Sequence, residues 1–320
     1  MAAEVCPEIH YRKNEDEITI TGCYGPAGVV VLPDEIKGLP VTAIEAYAFA
    51  EEAEEPESCV YLTEQADYIS DRPRIGGDNL SELHLSRGIR QLGRYAFYRC
   101  SALSRLVMGN ALLDIGGGAL TGCRSVREVE IFFTGDAKSA LRSLVSEERY
   151  TIHARLHYPD GEADVLFPEH YEEAEENTPA RILYTVHHGS GGYYRQCFYD
   201  RELDFKKYDE LLPYAVAEDH PETVVQLALG RLRFPYHLRA AAGADYLDYL
   251  RQEIVAAAVY LAGKEDVESI RYLGRMGLWT KEAVEAGIDL ASEEKKTGIL
   301  SVFMEEKRKS GFSSKKTFQL

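Results

Sequence analysis

The chain has 320 residues, 45% hydrophobic and 28% charged, and a formal net charge of −17. That is apolar content enough for a core, and acidity enough to argue against a nucleic-acid duplex or an anionic membrane surface as partner. No run of eighteen apolar residues occurs, "MAAEVCPEIHYRKNEDEITI" has neither a basic start nor an apolar stretch, and the six cysteines form no CxxC pair. A bilayer span, a secretory leader, a disulfide framework and a zinc site are therefore not expected, and a cytoplasmic protein with reduced thiols is.

Residues 1–149 read as a solenoid of repeats. "VVVLPDEIKGLPVTAIEAYAF" (29–49) is a first copy, with Ile44, Ala48 and Phe49 in the repeated places. Residues 50–79 interrupt it with the acidic "EEAEEPES", an apolar piece expected to supply a degenerate strand, and "DRPRIGGDN". "NLSELHLSRGIRQLGRYAFYRC" (79–100) then aligns without gaps on "SALSRLVMGNALLDIGGGALTGC" (101–123). Leu80 falls on Leu103, Leu83 on Leu106, Leu85 on Met108, Leu92 on Ile115, Ala96 on Ala119, Phe97 on Leu120 and Cys100 on Cys123, always at the same offset. Alternation through Leu83 and Leu85 predicts a short strand with one buried face, and the glycines at 88, 93 and 116–118 mark turns. A single such coil has nothing to bury its leucines against, so coils must stack.

These stretches resemble the leucine-rich repeat of bacterial BspA-like proteins, whose unit carries an "AF…C…L" signature about every 23 residues. The resemblance covers roughly residues 18–133. It implies a curved parallel-β solenoid that recognises partners on its inner sheet.

Stacking at this offset places Glu82, Arg105 and Glu128 in one outward column, and His84, Val107 and Glu130 in the next. Alternating charges one strand apart stabilise by ~0.2–1 kcal/mol per pair. The ladder either fixes strand register or offers a binding surface. Cys100 and Cys123 occupy the same place in successive coils and are expected as buried thiols.

Residues 150–203 read as a β-rich connector, expected to cover the open end of the repeats. "YTIHARLHYP" alternates, "ARILYTVHH" reads as a strand, and "GSGGYYRQCFY" as a flexible turn into another. His153 and His157 share a strand face, but at about 3.3 Å per residue they stand roughly 13 Å apart, too far for one metal. His187 and His188 point to opposite faces. The glycines at 189, 191 and 192 lack the GK[ST], GxGxxG and GxSxG contexts. The acidic runs at 51–55 and 172–176 lack a calcium-loop pattern. No catalytic residue, metal site or cofactor is assigned.

Residues 204–310 read as helical pairs. Asp219 is expected to cap a helix with Pro221 in its first turn, and Thr280 to cap "KEAVEAGIDLAS". "VAAAVYLAGKEDVESIRYLG" (255–274) aligns with "VEAGIDLASEEKKTGILSVF" (284–303) at an offset of 29. Residues 311–320 form a basic tail. The expected class is α+β: a leucine-rich solenoid, a β connector and a helical repeat-like array. The expected function is a non-catalytic scaffold for an unknown protein partner. Two rivals stand beside it: an enzyme or small-ligand site near residues 187–197, with His187 or His188, Arg195 and Cys197, and a self-assembling structural module.

Overall fold

Leu83 and Leu106 lie side by side on parallel strands, at the offset their sequence predicts. The computed structural model describes residues 6–26, 28–50, 57–69, 71–177 and 182–312. It divides the chain into two units, Met1–Tyr208 and Asp209–Leu320. The acidic run 51–55 and most of the basic tail fall outside the described residues.

The first unit is a β-solenoid, like those of leucine-rich repeat proteins. One sheet holds β1 (Gly28–Val31), β2 (Leu80–His84), β3 (Arg105–Gly109), β4 (Glu128–Phe132), β5 (Ile152–Tyr158) and β6 (Gly161–Phe167), side by side in chain order. All neighbours are parallel except β5 and β6, which form an antiparallel hairpin. Val30, Leu83, Leu106, Val129 and Ala154 make one buried row across five strands. The second sheet contains Leu39–Ile44 and two-residue strands at 91–92 and 114–115, where Ile44, Leu92 and Ile115 fall in line. The expected strand in the 50–79 interruption is Cys59–Leu62, antiparallel to Glu8–Lys13.

Between the sheets each coil returns through a turn that bonds to the next. Tyr47 N–H donates to Arg94 O and Phe49 N–H to Ala96 O; one coil on, Tyr95, Phe97 and Arg99 N–H donate to Gly117, Ala119 and Thr121 O. Phe49 stacks on Phe97 with ring centroids 5.6 Å apart. The thiols of Cys100 and Cys123 are buried and free, and donate to Phe49 O and Phe97 O at 3.0 Å. The coils approach so closely that a Cβ on Gly93 would lie 2.2 Å from Ala46 N, and one on Gly116 2.3 Å from Arg94 N. After the last turn, helix α1 (Leu141–Glu147) buries Leu141, Leu144 and Val145.

The connector is partly an extension of the solenoid: β5 continues the parallel sheet, pairing Val129 with Ala154. A second hairpin joins Tyr171–Asn177 to Ile182–His188.

The second unit is helical: α2 (Leu212–Glu218), α3 (Pro221–Arg233), α4 (Ala240–Gln252), α5 (Ile254–Lys264), α6 (Val267–Arg275), α7 (Lys281–Glu293) and α8 (Thr297–Lys309). The aligned segments form the pairs α5–α6 and α7–α8. Lys296 ties them together by donating to Gly263 O at 2.6 Å. Thr280 caps α7 through Ala283 N–H, as expected. His220, rather than Asp219, holds the N-cap position of α3, because Pro221 is already the first helical residue. Arg231 and Asp209 form a salt bridge that is 0% exposed on both sides.

Candidate functional site

The outward residues of β2 to β6 converge on one charged network. β2 sets Glu82 opposite Arg105 and His84 opposite Val107; β4 sets Glu128 and Glu130 opposite the same two residues. The two columns read from the repeat are thus present. Within them the closest ion pair is diagonal: Arg105 reaches Glu130 at 2.5 Å, against 3.5 Å to Glu82 and 3.9 Å to Glu128. An arginine is long enough to span to the neighbour two positions along, which an aligned column does not reveal. Val107 is 8% exposed, so its place in the outward column does not make it accessible.

β5 and β6 extend the network in a way the sequence reading missed. His157 bonds Glu130 at 2.7 Å and Glu162 at 3.1 Å. His153 and Arg155 both bond Asp164, the latter at 2.8 Å. On β2, His84 bonds Glu82 at 2.6 Å. The alternation of 150–159 was visible in sequence, and the missing step was that this strand joins the same sheet.

The environments follow from these partners. Burial pushes the Glu130 carboxyl up, but the hydrogen bonds from Arg105 and His157 outweigh it and hold the group below the usual carboxylate range. Asp164 behaves alike: burial raises it, and His153 and Arg155 bring it below the ordinary value. Arg105 loses some basicity to burial and regains more from Glu130, Glu82 and Glu128. Arg105, Glu128, Glu130, His153 and Arg155 line a groove of about 250 Å³. Two strands from Arg105, in register with Glu82, Val29 in β1 is 47% exposed.

The residues near 187–197 are arranged differently. His187 lies 3.5 Å from Glu172 and His188 stacks on Tyr171. "GSGG" is not a flexible turn: Gly191–Tyr194 is a short helix, and a Cβ on Gly191 would stand 2.0 Å from Pro168 O. Arg195 is buried and donates to five backbone carbonyls, those of Val145, Glu148, Tyr150, Pro168 and Gly191. Cys197 is buried as well. These polar groups hold loops together. Among the described residues no cluster of three or more His, Cys, Asp or Glu could hold a metal.

No protein-family model matches the chain, and no curated protein matches it. Two solved structures are similar to parts of it. A leucine-rich repeat protein of T. pallidum is 22% identical over 38% of this chain and 68% of its own, with a TM-score of 0.23. A leucine-rich cell surface protein from Faecalibacterium prausnitzii A2-165 is 16% identical over 50% of this chain, with a TM-score of 0.26. The chain spans 43% of that second protein. The resemblance to leucine-rich repeats rests on the stacked coils themselves.

Proposed function

We propose that the chain is a non-catalytic scaffold that recognises a protein partner through the open face of the six-stranded sheet. The observation that carries this is the network around Arg105. Glu82, Glu128, Glu130, Glu162 and Asp164 set five carboxylates against the guanidiniums of Arg105 and Arg155, on a face whose apolar rim includes exposed Val29. Such a surface suits a partner patch rich in lysine and arginine, which exchanges ion pairs with the carboxylates. The residues assigned to the surface are Glu82, His84, Arg105, Glu128 and Glu130, with Val107 beneath them as support. The repeat pattern favours a BspA-like bacterial protein, and the reading places it in the cytoplasm. No helix among the described residues is long and apolar enough to cross a membrane.

The test is affinity capture from the soluble lysate of the source organism. Wild type is compared with a Glu82→Lys, Glu128→Lys double variant of unchanged thermal midpoint. A protein held by wild type, lost by the variant and weakened by raised salt supports the reading. Equal capture by both refutes it for this face. Sedimentation of the chain alone distinguishes self-assembly, which gives a concentration-dependent oligomer.

A further inference from the structure

Three histidines of the open sheet face each bond a carboxylate. His84 on β2 meets Glu82 at 2.6 Å, His153 on β5 meets Asp164 on β6, and His157 on β5 meets Glu130 on β4 at 2.7 Å. His157 goes further, because its Nε2 faces Glu130 while its Nδ1 faces Glu162 at 3.1 Å. A neutral imidazole carries one N–H and satisfies one of these acceptors, whereas the imidazolium satisfies both. Protonation thus turns His157 into a bridge between the carboxylates of β4 and β6.

The other neighbours set the charge balance. Beside His84, Arg105 on β3 lies 3.5 Å from the same Glu82 oxygen, and the register partners Val107 and Val31 are uncharged. Beside His153, Arg155 shares Asp164 at 2.8 Å, and the register partners are Glu128 and Leu166. His157 stacks on Phe132 with ring centroids 4.5 Å apart, and the Arg87 guanidinium lies 4.9 Å from the centre of that ring. Guanidiniums keep their charge throughout, and Glu130 and Asp164, held below the usual carboxylate range, stay ionised down to pH 5.5. Histidine is the side chain that ordinarily changes charge between pH 8 and 5. With the three imidazoles neutral, the carboxylates of Glu82, Glu128, Glu130, Glu162 and Asp164 outnumber the guanidiniums of Arg87, Arg105 and Arg155. With all three protonated, that excess of negative charge is gone.

We propose that the open face is gated by protons: its imidazoles, once protonated, occupy the carboxylates that a lysine- or arginine-rich partner needs, so the partner is held at pH 8 and released near pH 5.5. This gating presupposes that the face receives a basic protein, as proposed above, and adds what regulates it. A cation that reaches Glu82, Glu130 or Asp164 displaces an imidazolium, which gives its second proton to solvent. Binding therefore releases protons, and affinity rises with pH.

The test titrates the full chain against rhodamine-labelled octalysine at fixed low salt, from pH 8 to 5.5, by fluorescence anisotropy. The peptide's ammonium groups stay charged across this range. Acidic stretches elsewhere in the chain also attract it, so the share due to this face is the affinity lost in a Glu82→Lys, Glu128→Lys variant. That share is expected to fall by about 3- to 100-fold between pH 8 and 5.5, the range for up to three exposed ion pairs. A His84→Gln, His153→Gln, His157→Gln variant should lose this dependence. Glu148, which lines a separate cavity and is pushed up to about 7, titrates in the same window; the triple variant keeps it, so a slope surviving there is not the imidazoles'. Calorimetry at pH 6.5 in two buffers of different ionisation enthalpy should show proton release on binding by wild type, a readout that no variant's folding affects. Equal affinity of wild type and the double lysine variant at pH 8 would overturn the basic-partner reading and the gate with it. Affinity for the face that changes by less than about 2-fold, no proton release, or a triple variant as pH-dependent as wild type would overturn the gate alone.

Discussion

Replacing Asp209 by Asn tests whether the buried ion pair of the helical unit is a keystone. Asp209 accepts from Arg231 Nε at 2.8 Å, from Arg231 Nη2 at 3.2 Å and from the Tyr246 hydroxyl at 3.0 Å. Arg231 also donates to the carbonyls of Phe234 and Tyr236. Asn keeps one carbonyl acceptor, turns an NH2 toward the guanidinium and leaves the positive charge uncompensated. Removing one partner of a buried pair costs about 3–5 kcal/mol. With a urea dependence of about 2 kcal/mol per molar, the midpoint should fall by roughly 1.5–2.5 M. The chain offers a clean probe, because its single tryptophan, Trp279, lies in the same unit. Its indole donates to Ile270 O at 3.1 Å and meets Phe303 edge-on. Fluorescence excited at 295 nm therefore follows this unit alone. An Asp209→Leu, Arg231→Met double variant should recover most of the loss, since apolar residues remove both desolvation costs. A loss below about 1 kcal/mol in Asp209→Asn, or a double variant as unstable as Asp209→Asn, would refute the reasoning.

Three further outcomes are expected. Gly116→Ala should destabilise the solenoid by about 1–3 kcal/mol or more, because its Cβ would meet the Arg94 backbone, whereas Gly117→Ala, with nothing within 4 Å, should be neutral; thermal melts of the pair check this. Arg195→Met should cost about 3–5 kcal/mol, since five buried carbonyls lose their donor, and equilibrium unfolding followed by far-UV circular dichroism measures it. The Glu148 carboxyl has a folded pKa near 7, above its unfolded value, so its share of stability is full below about pH 4.5 and lost as pH rises through 7. Glu148→Gln should thus match wild type in melts at pH 4 and exceed it at pH 8.

The repeat was legible because its spacing is constant where the coils stack: Leu83 and Leu106, like Leu92 and Ile115, share one offset and lie adjacent in space. β5 escaped that reading because Val129 and its partner Ala154 stand further apart in the chain than that offset, and α1 intervenes. His153, Arg155 and His157 were therefore read as connector residues, although their alternation was plain. The Arg105–Glu130 pair was hidden because side-chain reach, not column position, decides it. Arg195 looked like a polar group of a glycine-rich site. Its true partners are main-chain carbonyls from separate loops, and a carbonyl leaves no mark in the sequence.

The turn ladder has two unlike ends, and each meets a charged side chain. At the last rung Leu120 N–H donates to the Glu147 carboxylate at 3.2 Å; at the first, Ala48 O, the counterpart of the acceptors Ala96 and Ala119, accepts from Arg74 Nη2 at 3.1 Å. An acid thus closes the donor end and a base the acceptor end, the arrangement that suits the two ends of an α-helix. A coil appended at either terminus by gene duplication would have to evict a charged residue from its place. One duplicated within the array would disturb neither. Lineages that lengthen such a solenoid are thereby steered toward internal duplication, between Ala48 and Leu120, the stretch where residues 50–79 already interrupt the repeat.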